Sequence, residues 1–275
     1  MTNEEYHAHP AFSKSDLDAA AKSGKHLYDK LFGPKRESTP AFDFGTAFHA
    51  AALPGEDFDQ VAARMPDGLK KTTKEGKAFM AEHKGKILLN NSDAYALDQM
   101  MLSMSEHPVA RGLLNGGWQG KSEQSYFAVD PETGLDVKCR PDFILNDGSL
   151  IIDLKTTLDA SPKGFQRSLV SYRYYVQAAF YMDVVEMATG TRPVAFLFIA
   201  CEKQRPFEVG AYCADHAMIE VGREHARRDL QKIAEWKASN TWPGYSDRAE
   251  IISLPKWMLP KEDGTSADHQ PIELY

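Results

Sequence analysis

The residues predict an α/β fold in which a central mixed β-sheet is flanked by helices. Three observations point there. Helical periodicity and capping signals dominate before about residue 115 and return after about residue 215. Between them, three short strand-like runs are divided by the turn sequences Asp130-Pro-Glu-Thr-Gly134 and Asn146-Asp-Gly-Ser149. Then comes Pro193-Val-Ala-Phe-Leu-Phe-Ile-Ala200, a continuous apolar run that reads as a strand buried on both faces.

In chain order, Ser13-Lys-Ser-Asp16 is a capping-box-like start for a helix over Leu17–Leu31. A shorter helix is expected over Asp43–Leu53, stopped by Pro54-Gly55. Lys70–Lys86 is polar and lysine-rich, a loop leading into a helix over Lys74–His83, and another helix spans Ser92–Ser105. Strands follow at Glu123–Val129, Leu135–Leu145 and Ser149–Thr157, and helices at Pro162–Val170 and Arg173–Ala188. Phe207–Cys213 is the expected hairpin partner of the 193–200 strand, Asp215–Ser239 is helical, and the stretch after Trp242 is irregular. We therefore expect one domain over 1–275, with a helical part at about 12–115, a sheet core at about 120–214 and a C-terminal helix and tail at 215–275.

The composition, 43% hydrophobic and 26% charged, is that of an ordinary globular chain. There is neither an apolar run long enough to span a bilayer nor a secretory leader pattern at Met1–Pro10, so a cytoplasmic location without membrane partners is expected. Cys139, Cys201 and Cys213 are too few and too scattered for a disulfide framework or a four-cysteine iron–sulfur cluster. No GxxxxGK[ST], HExxH or GxSxG occurs, which argues against a nucleotide-driven motor, a zinc protease and a serine hydrolase, and no nucleotide cofactor is expected. A net charge of −7 counts against indiscriminate, whole-surface nucleic-acid binding but allows a local basic groove.

The chemistry is concentrated in Arg140-Pro-Asp142 and Asp153-Leu-Lys155. With Asp147-Gly148 at the centre of the turn, counting back along both strands sets Asp142 opposite Asp153. Opposed side chains have Cβ atoms about 4.5–5.5 Å apart, and like charges there are destabilising unless a cation lies between them or one is protonated. Strand alternation sends Lys155 to the same face as Asp153. Two carboxylates could hold a hard divalent cation while an ammonium offsets charge on a reacting phosphoryl group. Alone, this pattern is equally compatible with a solvated hairpin.

Other residues surround it. His49 lies in Gly45-Thr-Ala-Phe-His49 on a largely apolar helix, where a lone histidine is more often a core residue than a ligand. Arg173, Gln177 and Tyr181 recur at helical spacing on one face soon after the Asp153 strand. Glu123 opens the strand before Asp142, and the loop count places it nearer Pro141 than Asp142. Lys70, Lys71 and Lys74, with Lys77, form the densest basic patch, read either as a solvated face or as a DNA-backbone contact.

In order, GxxxH, an acidic residue, (R/G)xD, DxK and QxxxY resemble the motif set of the RecB-type nucleases of the PD-(D/E)XK superfamily. Ser13–Leu17, Phe44–His49 and Leu254-Pro-Lys-Trp257 resemble more narrowly the nuclease domain of the RecE, or exonuclease VIII, group. The resemblance runs over roughly residues 12–258. It implies a restriction-endonuclease-like core, with His49, Asp142, Asp153 and the Leu154 carbonyl as metal ligands, Lys155 as the catalytic lysine, and catalytic contributions from Glu123 and Gln177. It implies Mg2+, with Mn2+ as a substitute, and 5′→3′ degradation of linear duplex DNA in recombination, beside a single-strand-annealing partner. It also implies a ring-shaped homo-oligomer, a tetramer being favoured, with Lys70, Lys71 and Lys74 lining it and Arg173, Gln177 and Tyr181 contacting DNA. A RecB-like nuclease acting on single strands or flaps, and a non-catalytic DNA-binding module, are the alternatives.

Overall fold

The computed structural model describes residues 1–34, 38–114, 116–255 and 258. Short helices α1 (Asn3–Ala8), α2 (Lys14–Lys22) and α3 (Gly24–Phe32) come first, followed by α4 (Pro40–Ala52), α5 (Phe58–Val61) and strand β1 (Ala62–Arg64). Helix α6 (Lys74–Glu82), β2 (Ile87–Leu89), α7 (Asn91–Glu106) and α8 (Arg111–Leu114) complete the N-terminal half. The sheet region holds β3 (Gly120–Ser122), β4 (Tyr126–Val129), β5 (Asp136–Cys139), β6 (Phe143–Leu145) and β7 (Leu150–Thr157). Then follow α9 (Pro162–Ser171), α10 (Tyr174–Thr189), β8 (Ala195–Glu202), β9 (Val209–Cys213) and α11 (His216–Ser239).

The expected mixed sheet is present, with strand order β3-β6-β7-β8-β9. Within this sheet β7 and β8 run parallel and the other pairs are antiparallel. Strand alternation divides β7 between two cores. Ile151 faces Val176, Phe180 and Ile219 on the α10–α11 side. Ile152 and Leu154 face Phe44, Phe48 and Met100 on the α4–α7 side. Asp153 shares the parity of Ile151 and so points toward α10. Asp153 is fully buried.

Several expected elements differ in detail. The helix over 17–31 is two helices. Ser23, in extended backbone, ends α2 and accepts the His26 N–H at the start of α3. Gly24 lies against Pro243, where a Cβ would sit 2.6 Å from the proline Cδ, so the returning chain fits only over a glycine. The turn after β6 is a four-residue loop, 146–149, rather than a two-residue turn at Asp147-Gly148. Gly148 N–H donates to the Leu145 carbonyl at 2.9 Å, and Gly148 adopts φ 72°. The longer loop keeps the same midpoint, and the pairs Phe143↔Ile152 and Ile144↔Ile151 are those the shorter turn would have given.

The strand expected over 135–145 is broken at Arg140-Pro141-Asp142, where proline supplies no N–H to a ladder. Its partner is broken at the matching place, so Glu123 lies between β3 and β4 rather than opening a strand, at φ 47°. Lys256 and Trp257 of the Leu254–Trp257 motif lie outside the described residues, and the described residues 243–255 carry no helix or strand.

Candidate active site

Three neighbouring strands set the acids in register. The pairs Ser122↔Phe143 on one side of the break and Tyr126↔Cys139 on the other place Glu123 opposite Asp142, and the Glu123 N–H donates to the Asp142 carbonyl at 3.0 Å. This corrects the expectation that Glu123 faces Pro141, because the loop at 131–134 holds one residue more than a turn with that pairing requires. The β6–β7 register carries the row on to Asp153, one step beyond the last ladder pair. Glu123, Asp142 and Asp153 therefore stand side by side, the first two in the paired breaks that continue β3 and β6 and the third on β7.

Their side chains divide into two groups. Ligand atoms of His49, Glu123 and Asp142 all lie within 4.8 Å of one another. His49 comes from α4, whose Gly45 packs beside Thr156 of β7. Its Nδ1 is 3.6 Å from Asp142 Oδ1, and its Nε2 is 3.1 Å from the Leu154 carbonyl oxygen. Asp142 Oδ2 accepts the Leu154 N–H at 2.6 Å. The Asp153 carboxylate is engaged by Lys155 Nζ and by Gln177 Nε2.

Crowding shows in the acidities. Burial pushes the Glu123 carboxyl up to about 8, with Asp142 raising it further and Arg140 opposing. Burial also raises Asp153, against the pull of Lys155. For Lys155, burial alone would lower the pKa, but Asp153 and Asp142 outweigh it, so the group stays an ammonium. Such carboxylates gain from a cation, and a donor set of one imidazole nitrogen and carboxylate oxygens suits a divalent metal. Nε2–H donation to Leu154 would leave Nδ1 free on the Asp142 side, the arrangement in which a backbone carbonyl orients a ligating histidine.

The site opens into a cleft of about 770 Å3 that also receives Glu56, Arg140, Tyr174 and Tyr181. Lys70, Lys71 and Lys74 do not line it; they are exposed on and before α6. Arg173 departs from the expected helix face. It caps α10 in the left-handed region, and its guanidinium is held by the Leu17 carbonyl, Asp18 and Asp229. Those partners are carboxylates and a carbonyl that bind α2 and α11 to α10, so its charge is already matched.

The face of α10 that meets the site is Tyr174, Gln177 and Tyr181, at spacings of three and four. Tyr174 was missed in the sequence. Its ring lies 4.7 Å from Lys155 Nζ, a cation–π contact. The signal is the tyrosine-rich stretch Tyr172-Arg-Tyr-Tyr175, whose tyrosines cannot be ranked until the helix start is known. Arg140 was read only as part of a motif. It is buried, stacks 4.3 Å over the Tyr6 ring, donates to Ser125 Oγ, and lies 3.9 Å from Glu123.

Comparison with known proteins gives one family match. The model described as "PDDEXK-like domain of unknown function (DUF3799)" matches residues 13–255. No curated protein matches the sequence. Among solved structures, a candidate exonuclease from Eubacterium rectale is similar with a TM-score of 0.64 and 14% identity, over 93% of this chain and 95% of that one. That likeness shows a shared fold. An alkaline exonuclease from Laribacter hongkongensis is similar at a TM-score of 0.30 and 14% identity, over 70% of this chain and 96% of that one. A phage-related exonuclease from Haemophilus somnus is similar at 0.34 and 13%, over 72% and 95%. Scores that low carry no structural argument.

Proposed function

We propose, from the premise that the chain belongs to the DUF3799 family of PDDEXK-like domains, that it is a metal-dependent DNA exonuclease cutting phosphodiester bonds from the ends of linear duplexes. The observation that carries this reading is the row Glu123–Asp142–Asp153 in register with β3, β6 and β7, with Lys155 and His49 closing on it. A fixed row of acids beside a half-buried ammonium suits the hydrolysis of a phosphate ester better than it suits a passive binding surface.

His49, Asp142 and Glu123 would hold the cation, with Asp153 and the Leu154 carbonyl adjoining them, and Mg2+ or Mn2+ fits the oxygen-rich set. When bound, such an ion supplies positive charge that polarises a phosphoryl oxygen and lowers the pKa of a water. The protein's own groups do the rest. Lys155, kept protonated by Asp153, presents an ammonium to charge that develops on the phosphoryl oxygens. Tyr174 and Asp153 fix that ammonium from two sides, and Gln177 fixes Asp153.

Strand polarity of 5′→3′, processivity and a place in recombination with an annealing partner belong to the same proposal, supported by the motif resemblance. So does a ring-shaped homo-oligomer, with Lys70, Lys71 and Lys74 toward the DNA. A chain of net charge −7 retains DNA better by enclosing it than by general attraction.

The test is incubation with Mg2+ and linear duplexes labelled at either end, beside a closed circle and a single strand. We expect the linear duplex to be degraded from the 5′-labelled end while the circle survives. Cleavage of single strands alone would favour the RecB-like alternative, and no cleavage at all would leave a binding module. Sedimentation, with a DNA trap added after digestion has begun, tests the ring.

A further inference from the structure

A second groove, of about 690 Å3, adjoins the cleft, and both are bounded by Tyr6, His7 and Tyr181. Their charges differ. The cleft receives three carboxylates, Glu56, Glu123 and Asp142, against Arg140 and Lys155. The groove receives Lys14, Lys30, Lys138 and Lys237 against Asp16 alone. With Asp18 also set against Lys14, a surplus of two lysines remains, a local reversal on a chain of net charge −7 that a polyanion would recognise.

Two of those lysines have no carboxylate partner among the described residues. Lys138 is buried and donates to the Tyr6 and His9 carbonyls at 2.7 and 2.6 Å, which fixes its charge at the groove wall. Lys237 is exposed beside the Phe12 ring. Lys30 pairs with Asp16, and Lys14 with Asp18.

An aromatic cluster adjoins the groove. Phe32 lines it while 64% exposed. It continues into Tyr28, at 4.8 Å between ring centroids, and Trp242, at 6.2 Å. Exposed rings beside a basic track are what a flexible single strand uses, through phosphate contacts and base stacking.

We propose that this groove binds one single strand of nucleic acid, its phosphates contacting Lys237 within the positive field of the buried Lys138 and its bases stacked on Phe32 and neighbouring rings. A strand whose scissile phosphate lies in the cleft passes α1 to reach it. The inference deepens the nuclease reading and rests on it for the direction of approach, but its test does not depend on cleavage.

The probe is a fluorescent oligothymidine of about ten nucleotides, measured by anisotropy with metal chelated, beside an abasic strand of equal length. Phe32→Ala should weaken oligothymidine binding about tenfold and leave the abasic strand unchanged. Lys237→Gln should weaken both, and lower the slope of log affinity against log salt by about 0.7. Both residues are exposed, so neither change removes core packing. Wild-type affinity and slope in both variants would overturn the groove, as would equal competition by polyglutamate, which would show an acidic-peptide site instead. Mg2+-dependent cleavage by a protein whose variants bind normally removes the groove and keeps the nuclease. Groove-dependent binding without any cleavage removes the nuclease and keeps the groove.

Discussion

The imidazole of His49 stands with Nδ1 3.6 Å from Asp142 Oδ1, although the two residues, one on a helix and one in the break before β6, are 93 positions apart. Its other nitrogen meets the Leu154 carbonyl at 3.1 Å, so the carbonyl orients the ring and turns Nδ1 toward the carboxylate. If this pair holds the cation, His49→Ala should raise the Mg2+ concentration for half-maximal activity at least about tenfold, by analogy with the cost of losing a ligand's supporting partner. Metal titration of the rate tests this. A fall in thermal stability with unchanged metal dependence would make His49 a core histidine.

Asp142→Asn and Asp153→Asn should each abolish turnover while the protein stays folded. Asparagine is the better probe at Asp153, because this fully buried residue neighbours an ammonium. Asp153→Ala removes the partner of that charge, a change that costs about 3–5 kcal/mol where a buried pair is broken. Circular dichroism beside the nuclease assay separates the two effects. Near-normal turnover in either asparagine variant would sink the site assignment.

Lys155→Met should lower kcat about 100- to 1000-fold, the range for losing one preorganised electrostatic donor. DNA affinity should hardly change if the ammonium acts on charge that develops during the reaction. Single-turnover kinetics at saturating Mg2+ provide the measurement. An unchanged rate would return Lys155 to an ordinary structural ion pair.

Gln177→Ala should slow cleavage through Asp153 rather than through lost DNA contact, because Gln177 is buried and donates to that carboxylate. The expected sign is a lower kcat with unaltered DNA affinity. A variant that loses affinity and keeps kcat would place Gln177 on the substrate instead.

Glu123 gives a pH signature in metal-free protein. Its folded pKa, about 8, is above the ordinary 4.5, so folded protein holds a proton that unfolded protein releases between those values. Stability from this group therefore falls as pH rises from about 4.5 to about 8. Metal-free melting temperature should drop across that window, and the drop should be smaller in Glu123→Gln. Mg2+ should raise the wild-type melting temperature more at the alkaline end. Parallel pH profiles for wild type and variant would remove Glu123 from the cluster.

The residues by themselves determined the parts of this protein that depend on short-range rules. Alternation placed Asp153 and Lys155 on one face, and turn position with apolar pairing fixed the β6–β7 register, even though the loop proved longer than two residues. Helix periodicity found α4, α7, α10 and α11 to within a few residues. Tertiary structure decided what depends on convergence. The paired breaks at Glu123 and Arg140–Asp142 turned a loop-count mismatch into an aligned row of acids. The left-handed start at Arg173 rotated the working face of α10 to Tyr174. The position of α1 between the cleft and the basic groove depends on Lys138 and Arg140 reaching backbone carbonyls more than 130 residues away in sequence. Side-chain contacts of that span follow from how elements pack, and no local periodicity encodes them.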